Sequence, residues 1–195
     1  MSSKLSRRAV IALLAGAAVT GCSELYPEEE PSRFWAEGRT LFMTGTIFSR
    51  TPELLSSALA SNPQVTEIAM LEVPGSANDA ANLRAARMVR AAGLNTRLLP
   101  DSLIASGGTD FFVAGRNRVI APGAMVGVHS WSTIGGLDGA SLPRDAREHQ
   151  DYLSYFRDMG VPDAFYWFTL QAASSEGMYW MSRSELRSFN IVTRG

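Results

Sequence analysis

A chain of 195 residues with 46% hydrophobic content and a formal net charge of −1 can build one domain with a real core. Lys4, Arg7 and Arg8 stand in an N-terminal leader that holds no acid, so the remainder is more acidic than the total suggests, which argues against nucleic acid as a partner. The single lysine, Lys4, and the single cysteine, Cys22, belong to that leader and its end, which excludes a serine–lysine dyad, an intramolecular disulfide and, once Cys22 serves as an anchor, a cysteine nucleophile.

Residues 1–21 read as an export signal: a basic start, an apolar run from Ala9 to Val19 too short to span a bilayer comfortably, and small residues before Cys22. Val19-Thr20-Gly21-Cys22 resembles the bacterial lipobox, which predicts cleavage before Cys22 and a lipid on that cysteine. The expected place is the periplasmic side of the cell envelope, at the outer membrane. Ser6-Arg7-Arg8 suggests twin-arginine export but leaves the Sec route open, and a plain signal peptide or an uncleaved anchor are the other readings. Residues 22–39, rich at first in Glu, Pro and Ser (SELYPEEEPS), are read as a flexible tether.

From residue 40 to 195 the pattern alternates. A strand is expected near Thr40–Phe48, a helix over Pro52–Ser61 and a strand over Thr66–Val73. After Pro74-Gly75-Ser76 a helix runs to Ala92 on a stripe of Ala81, Ala85, Met88, Val89 and Ala92, closed by Gly93. A strand at Leu94–Leu99, a turn at Ser106, a helix to Gly115 and strands at Arg118–Ala121 and Met125–Ser130 follow. Pro143 is expected to open a long helix to Met159, and Asp163 a second, aromatic one. Ser182 and Glu185 form a capping box, and Asn190–Val192 can make a last strand.

Ser106 lies between Ala105 and Gly107-Gly108, small neighbours that let the backbone turn sharply and leave a hydroxyl open to an incoming group. Its natural partner is His129, at the end of an apolar strand, because an activated serine needs a base that titrates near neutrality. The other histidine, His149, lies between Asp145 and Asp151 and reads as a solvated helix residue. Asp110, one helical turn after Ser106, faces either the cleft or an exposed helix side. With two imidazoles and no second thiolate, neither zinc nor another cofactor is expected.

Taken in order, Pro-Gly-small after a strand, Ala-Ser-small-small before a helix, Ala-Gly, a basic strand, Ala-Pro-Gly-Ala and a strand ending in His resemble the proteolytic subunit of Clp protease, in the ClpP/crotonase superfamily. The likeness spans about residues 40–195. It is nearer to exported bacterial members that read CASACT and GFHR where this chain reads IASGGT and GVHS. The resemblance implies an α/β fold of repeated ββα units with a C-terminal helical segment. It also implies a serine hydrolase of peptides or esters, with Ser106 attacking a carbonyl, His129 taking its proton, and the backbone N–H groups of Ser76 and Gly107 holding the oxyanion. Ser76 replaces the usual second glycine, which is tolerable because a main-chain N–H does the work, but strain in the turn is expected if it needs the positive φ that serine resists. The third triad position falls on Ser174, with Glu176 the nearest carboxylate and Asp138 another, so the alternatives are a Ser–His dyad or an acid borrowed from either. A weak or inactive binding and assembly module is the other functional reading. Acyl-CoA chemistry fits less well, since coenzyme A is not expected outside the cytoplasm. A homo-oligomer packed through the aromatic C-terminal helices is possible on this reading.

Overall fold

The computed structural model describes residues 31–133 and 135–194, so Cys22, the leader and the first half of the expected tether lie outside the described residues. A single mixed sheet organises the rest. Strands β1 (Arg33–Glu37) and β2 (Thr40–Thr44) form an antiparallel hairpin that turns at Gly38, where φ is +60°. The sheet thus begins inside the stretch read as tether. Its first strand has alternating exposure, Trp35 stacks on Phe42 across the pair, and the preceding Ser32 is buried with its Oγ donating to the Thr46 carbonyl.

From β2 the sheet continues in parallel through β3 (Glu67–Val73), β4 (Asn95–Ala105) and β6 (Met125–Val128), and closes with antiparallel β7 (Tyr179–Trp180). The short β5 (Arg118–Ile120) pairs with the first half of β4, whose second half pairs with β6. Crossovers are made by α1 (Thr51–Ser61), α2 (Asp79–Ala91) and α3 (Gly107–Phe112). The C-terminal part packs α4 (Gln150–Asp158), α5 (Asp163–Ala172) and α6 (Arg183–Ser188) beside them.

The differences from the sequence expectation have local causes. Strand β4 does not stop at Leu99. It runs on through Pro100 because the ladder with β3 slips between Met70 and Glu72, and the proline, which has no N–H to give, falls at the slip. The helix expected from Pro143 begins only at Gln150, after a 3-10 turn at Arg147–His149. Asn190–Val192 form no strand, and the tail meets the sheet through a bridge between Val119 and Arg194. The capping box of Ser182 and Glu185 is formed as expected.

Leu41, Met43, Ile68, Met70, Leu98 and Ile104 are fully buried in the strands, against Leu55, Val89, Phe111 and Phe112 of the helices. Each such side chain contributes about 1.5–3 kcal/mol. The buried Arg118 guanidinium donates to the carbonyls of Val113, Met159, Asn190 and Ile191, and so ties the C-terminal tail to the sheet.

Candidate active site

Ser106 closes β4 and caps α3 with φ +52° and ψ −128°. Asn190 is the only other non-glycine residue at positive φ among the described residues. A serine held there costs about 1–3 kcal/mol, and such strain persists only when the surroundings enforce it. Here they do. The Ser106 N–H donates to the Gly127 carbonyl (3.0 Å), and the Ser106 carbonyl accepts from the N–H groups of Thr109 (2.8 Å) and Asp110 (3.3 Å). Thr109 Oγ1 donates to the same Gly127 carbonyl at 2.9 Å, so β6 grips the turn twice. Asn82, buried on α2, donates from Nδ2 to the Gly107 carbonyl at 2.8 Å.

The two glycines after the serine are obligatory for packing. A Cβ on Gly107 would collide with the Ser76 side chain, and one on Gly108 with the Val73 carbonyl, so α3 lies directly on the end of β3. Neither the Ser76 nor the Gly107 N–H finds an acceptor among the described residues. Ser76 is not at positive φ, so the strain expected from its replacement of a glycine is absent. Its Oγ donates to Asp79 Oδ1 at 2.5 Å.

Ser106 and His129 line the same cavity, together with Gly107, Asp79, Asp110 and a wall of aromatic rings. No hydrogen bond joins the serine to the imidazole, and His129 Nδ1 is buried without a partner. None of the three expected acids or stand-ins meets it. Glu176 is exposed in the turn before β7 and does not line the cavity, and Ser174 is exposed as well. Asp138 is engaged elsewhere: it accepts from Ser130 Oγ (2.5 Å) and the Ala140 N–H (2.9 Å), contacts that hold its carboxyl below the usual range. The segment bearing Ser174 does run beside the histidine strand, since the Ser130 N–H donates to the Ala173 carbonyl.

The cavity is small, about 40 Å³, enough for a few water-sized groups and not for a long acyl chain. Asp110 is the cleft residue of the two readings offered for it. Burial, with the Asp79 carboxylate second, pushes its carboxyl up to about 8. Asp79 also accepts from Tyr152 Oη at 2.6 Å, and burial followed by Asp79 raises that phenol. His149 is not a surface residue. It is fully buried, with Nδ1 2.7 Å from Tyr166 Oη, which also accepts from Trp131 Nε1 at 2.9 Å. The 3-10 turn, in place of the expected helix, rotates it inward. His149 therefore braces the aromatic wall rather than the solvent face.

Asp79, Asn82, Thr109, Tyr152 and Tyr166 were not singled out by the sequence. Asn82 had a readable signal, a polar residue on the buried side of α2 at helical spacing from Ala85, Ala86 and Val89. Tyr152 and Tyr166 had none, because the C-terminal helices reach the site only through tertiary packing.

No family model matches the chain, and no curated protein matches it in sequence. Several solved structures are similar in shape. An enoyl-CoA hydrotase/isomerase family protein from Silicibacter pomeroyi aligns with TM-score 0.54 and 9% identity, over 84% of this chain and 74% of that one. An enoyl-CoA hydratase from Polaromonas gives 0.51 and 14%, over 84% and 69%. A mutant of a membrane-bound stomatin-specific protease, in complex with a substrate peptide, gives 0.50 and 15%, over 81% and 75%. The fold is crotonase/ClpP-like. Identities this low speak for the fold alone, and the neighbours include both hydratases and a protease, so the chemistry must be argued from the residues of this site.

Proposed function

We propose that the protein is a serine hydrolase acting on a peptide or ester, with Ser106 as nucleophile. The observation that carries this is the strained turn: a serine fixed at φ +52° between a strand and a helix, on the wall of a cavity that also holds a histidine. A serine kept merely as a helix cap needs no such backbone, and its side chain makes no cap hydrogen bond here. Ser106 Oγ attacks the carbonyl carbon while its proton passes to His129. The N–H groups of Ser76 and Gly107 stabilise the oxyanion, and His129 returns the proton to the departing alcohol or amine. Water then cleaves the acyl-serine. Hydrolysis of small p-nitrophenyl esters tests this: turnover by the wild type, lost in both Ser106→Ala and His129→Ala, is the expected result. Equal turnover by Ser106→Ala would remove the serine from the mechanism.

The second reading, a fold kept as a binding or assembly module, is favoured by the unpartnered His129 Nδ1. It predicts a partner recovered equally by wild type and Ser106→Ala. The place proposed for either activity is the periplasmic face of the envelope, with the domain held by a lipid on Cys22. Its support is the leader pattern, and palmitate labelling that disappears in Cys22→Ser is the expected outcome.

A further inference from the structure

The cavity beside Ser106 is lined by two carboxyl groups and by no lysine or arginine. Among the described residues, Asp79 has only hydroxyl partners, Ser76 and Tyr152, and the Asp110 carboxyl has no hydrogen bond. Neither forms an ion pair among the described residues. Trp131, Tyr152, Phe156 and Tyr166 complete the wall, with Asp79 exposed and Asp110 half-buried.

The two acids are also placed close to the reaction centre. Asp110, on α3 four residues after Ser106, lines the same cavity as the serine, and Asp79 is bonded to Ser76, whose N–H is the proposed oxyanion donor. Both acids thus share one cavity with Ser106 and Gly107. The cavity has room for an ammonium group.

We infer that the site takes an acyl group with a free α-ammonium, an aminoacyl ester or the first residue of a peptide, and that Asp79 and Asp110 pair with that ammonium. The inference rests on the hydrolase reading for where the acyl carbon sits, though binding of the cation does not require turnover. Burial keeps the proton on Asp110 in the empty site, and a bound ammonium reverses that preference, so its charge appears when a cation is there to meet it. The titratable groups around it are Asp79 on α2, Tyr152 and Tyr155 on α4, Tyr166 on α5 and His129 beyond β6. None of them is a lysine or arginine. The same electrostatics disfavour a polyanionic acyl carrier.

Calorimetry on the full chain carrying Ser106→Ala, with leucinamide and N-acetylleucinamide as probes, tests the inference without catalysis. Leucinamide is expected to bind at least tenfold more tightly. That advantage is expected to shrink to within twofold when Asp79→Asn or Asp110→Asn is added, each variant being checked for folding by circular dichroism. Equal affinity for the acetylated probe, no binding of leucinamide, or a preference that survives both substitutions would overturn it. The hydrolase reading fails separately, by absence of ester turnover, and a leucinamide preference that persisted in that event would leave the cation site standing.

Discussion

The two halves of the site are built to different standards. On the Ser106 side every contact enforces one backbone shape: β6 grips the turn twice, Asn82 holds the Gly107 carbonyl, and neither Gly107 nor Gly108 has room for a Cβ. On the His129 side the imidazole has a buried nitrogen without a partner, and the expected acid Glu176 is exposed and makes no hydrogen bond to it. The contrast teaches where the proposed catalysis would be limited. On the proposed mechanism, the fold positions the proposed nucleophile and oxyanion donors, whereas an imidazolium at His129 would form with a buried N–H unpaired, a cost of about 1–3 kcal/mol.

The largest effect expected from breaking the comparison is on the strained side. Ser106→Ala should lower ester turnover by at least about 10³-fold, and Ser106→Gly should do the same while raising stability by about 1 kcal/mol in urea denaturation, because glycine is unstrained at φ +52°. A Ser106→Gly variant less stable than wild type would deny the strain. Next comes Gly108→Ala, whose added methyl meets a backbone carbonyl that cannot swing aside; a loss of about 3 kcal/mol, visible in the same experiment, is expected.

Asp110 gives a test with a definite sign. Its folded-state value, about 8, lies above the ordinary 3.8, so the folded protein holds a proton that the unfolded chain releases between those values. The stability this confers is complete at low pH and is lost as pH rises toward 8. Asp110→Asn cannot ionise, so its stability relative to wild type should climb from about pH 4 to pH 8 and then level off, with a total change of at most about 6 kcal/mol. A flat difference across that range would show that the carboxyl is ordinary.

On the weakly supported side, adding what is missing should help. The segment of Ser174 runs beside the histidine strand, and Ser174→Asp is expected to raise kcat/KM for esters about tenfold by giving His129 a carboxylate. Glu176→Ala should leave it within twofold of wild type, since Glu176 touches neither the cavity nor the imidazole. A tenfold drop in Glu176→Ala would reverse that assignment.

Much of this was legible from local pattern. The strand–helix alternation, the turn at Ser106 and the capping box depend on neighbours in the chain, so residue type and spacing revealed them. What depended on distant packing was hidden. The buried place of His149 follows from a 3-10 turn and the Tyr166 hydroxyl, and the β1 strand follows from a pairing with β2 that composition masked. The carboxyl pair of Asp79 and Asp110 comes from two different helices. It exists only once α2 and α3 lie side by side, which no spacing within either helix foretells.

The central claim is that the fold has made Ser106 a nucleophile. Incubation of the folded protein with a fluorophosphonate probe, followed by mass mapping of the adduct, tests it directly. The account predicts one adduct, on Ser106, absent from Ser106→Ala and slowed in His129→Ala. A folded wild-type protein that stays unlabelled, or labelling that persists in Ser106→Ala, would contradict it.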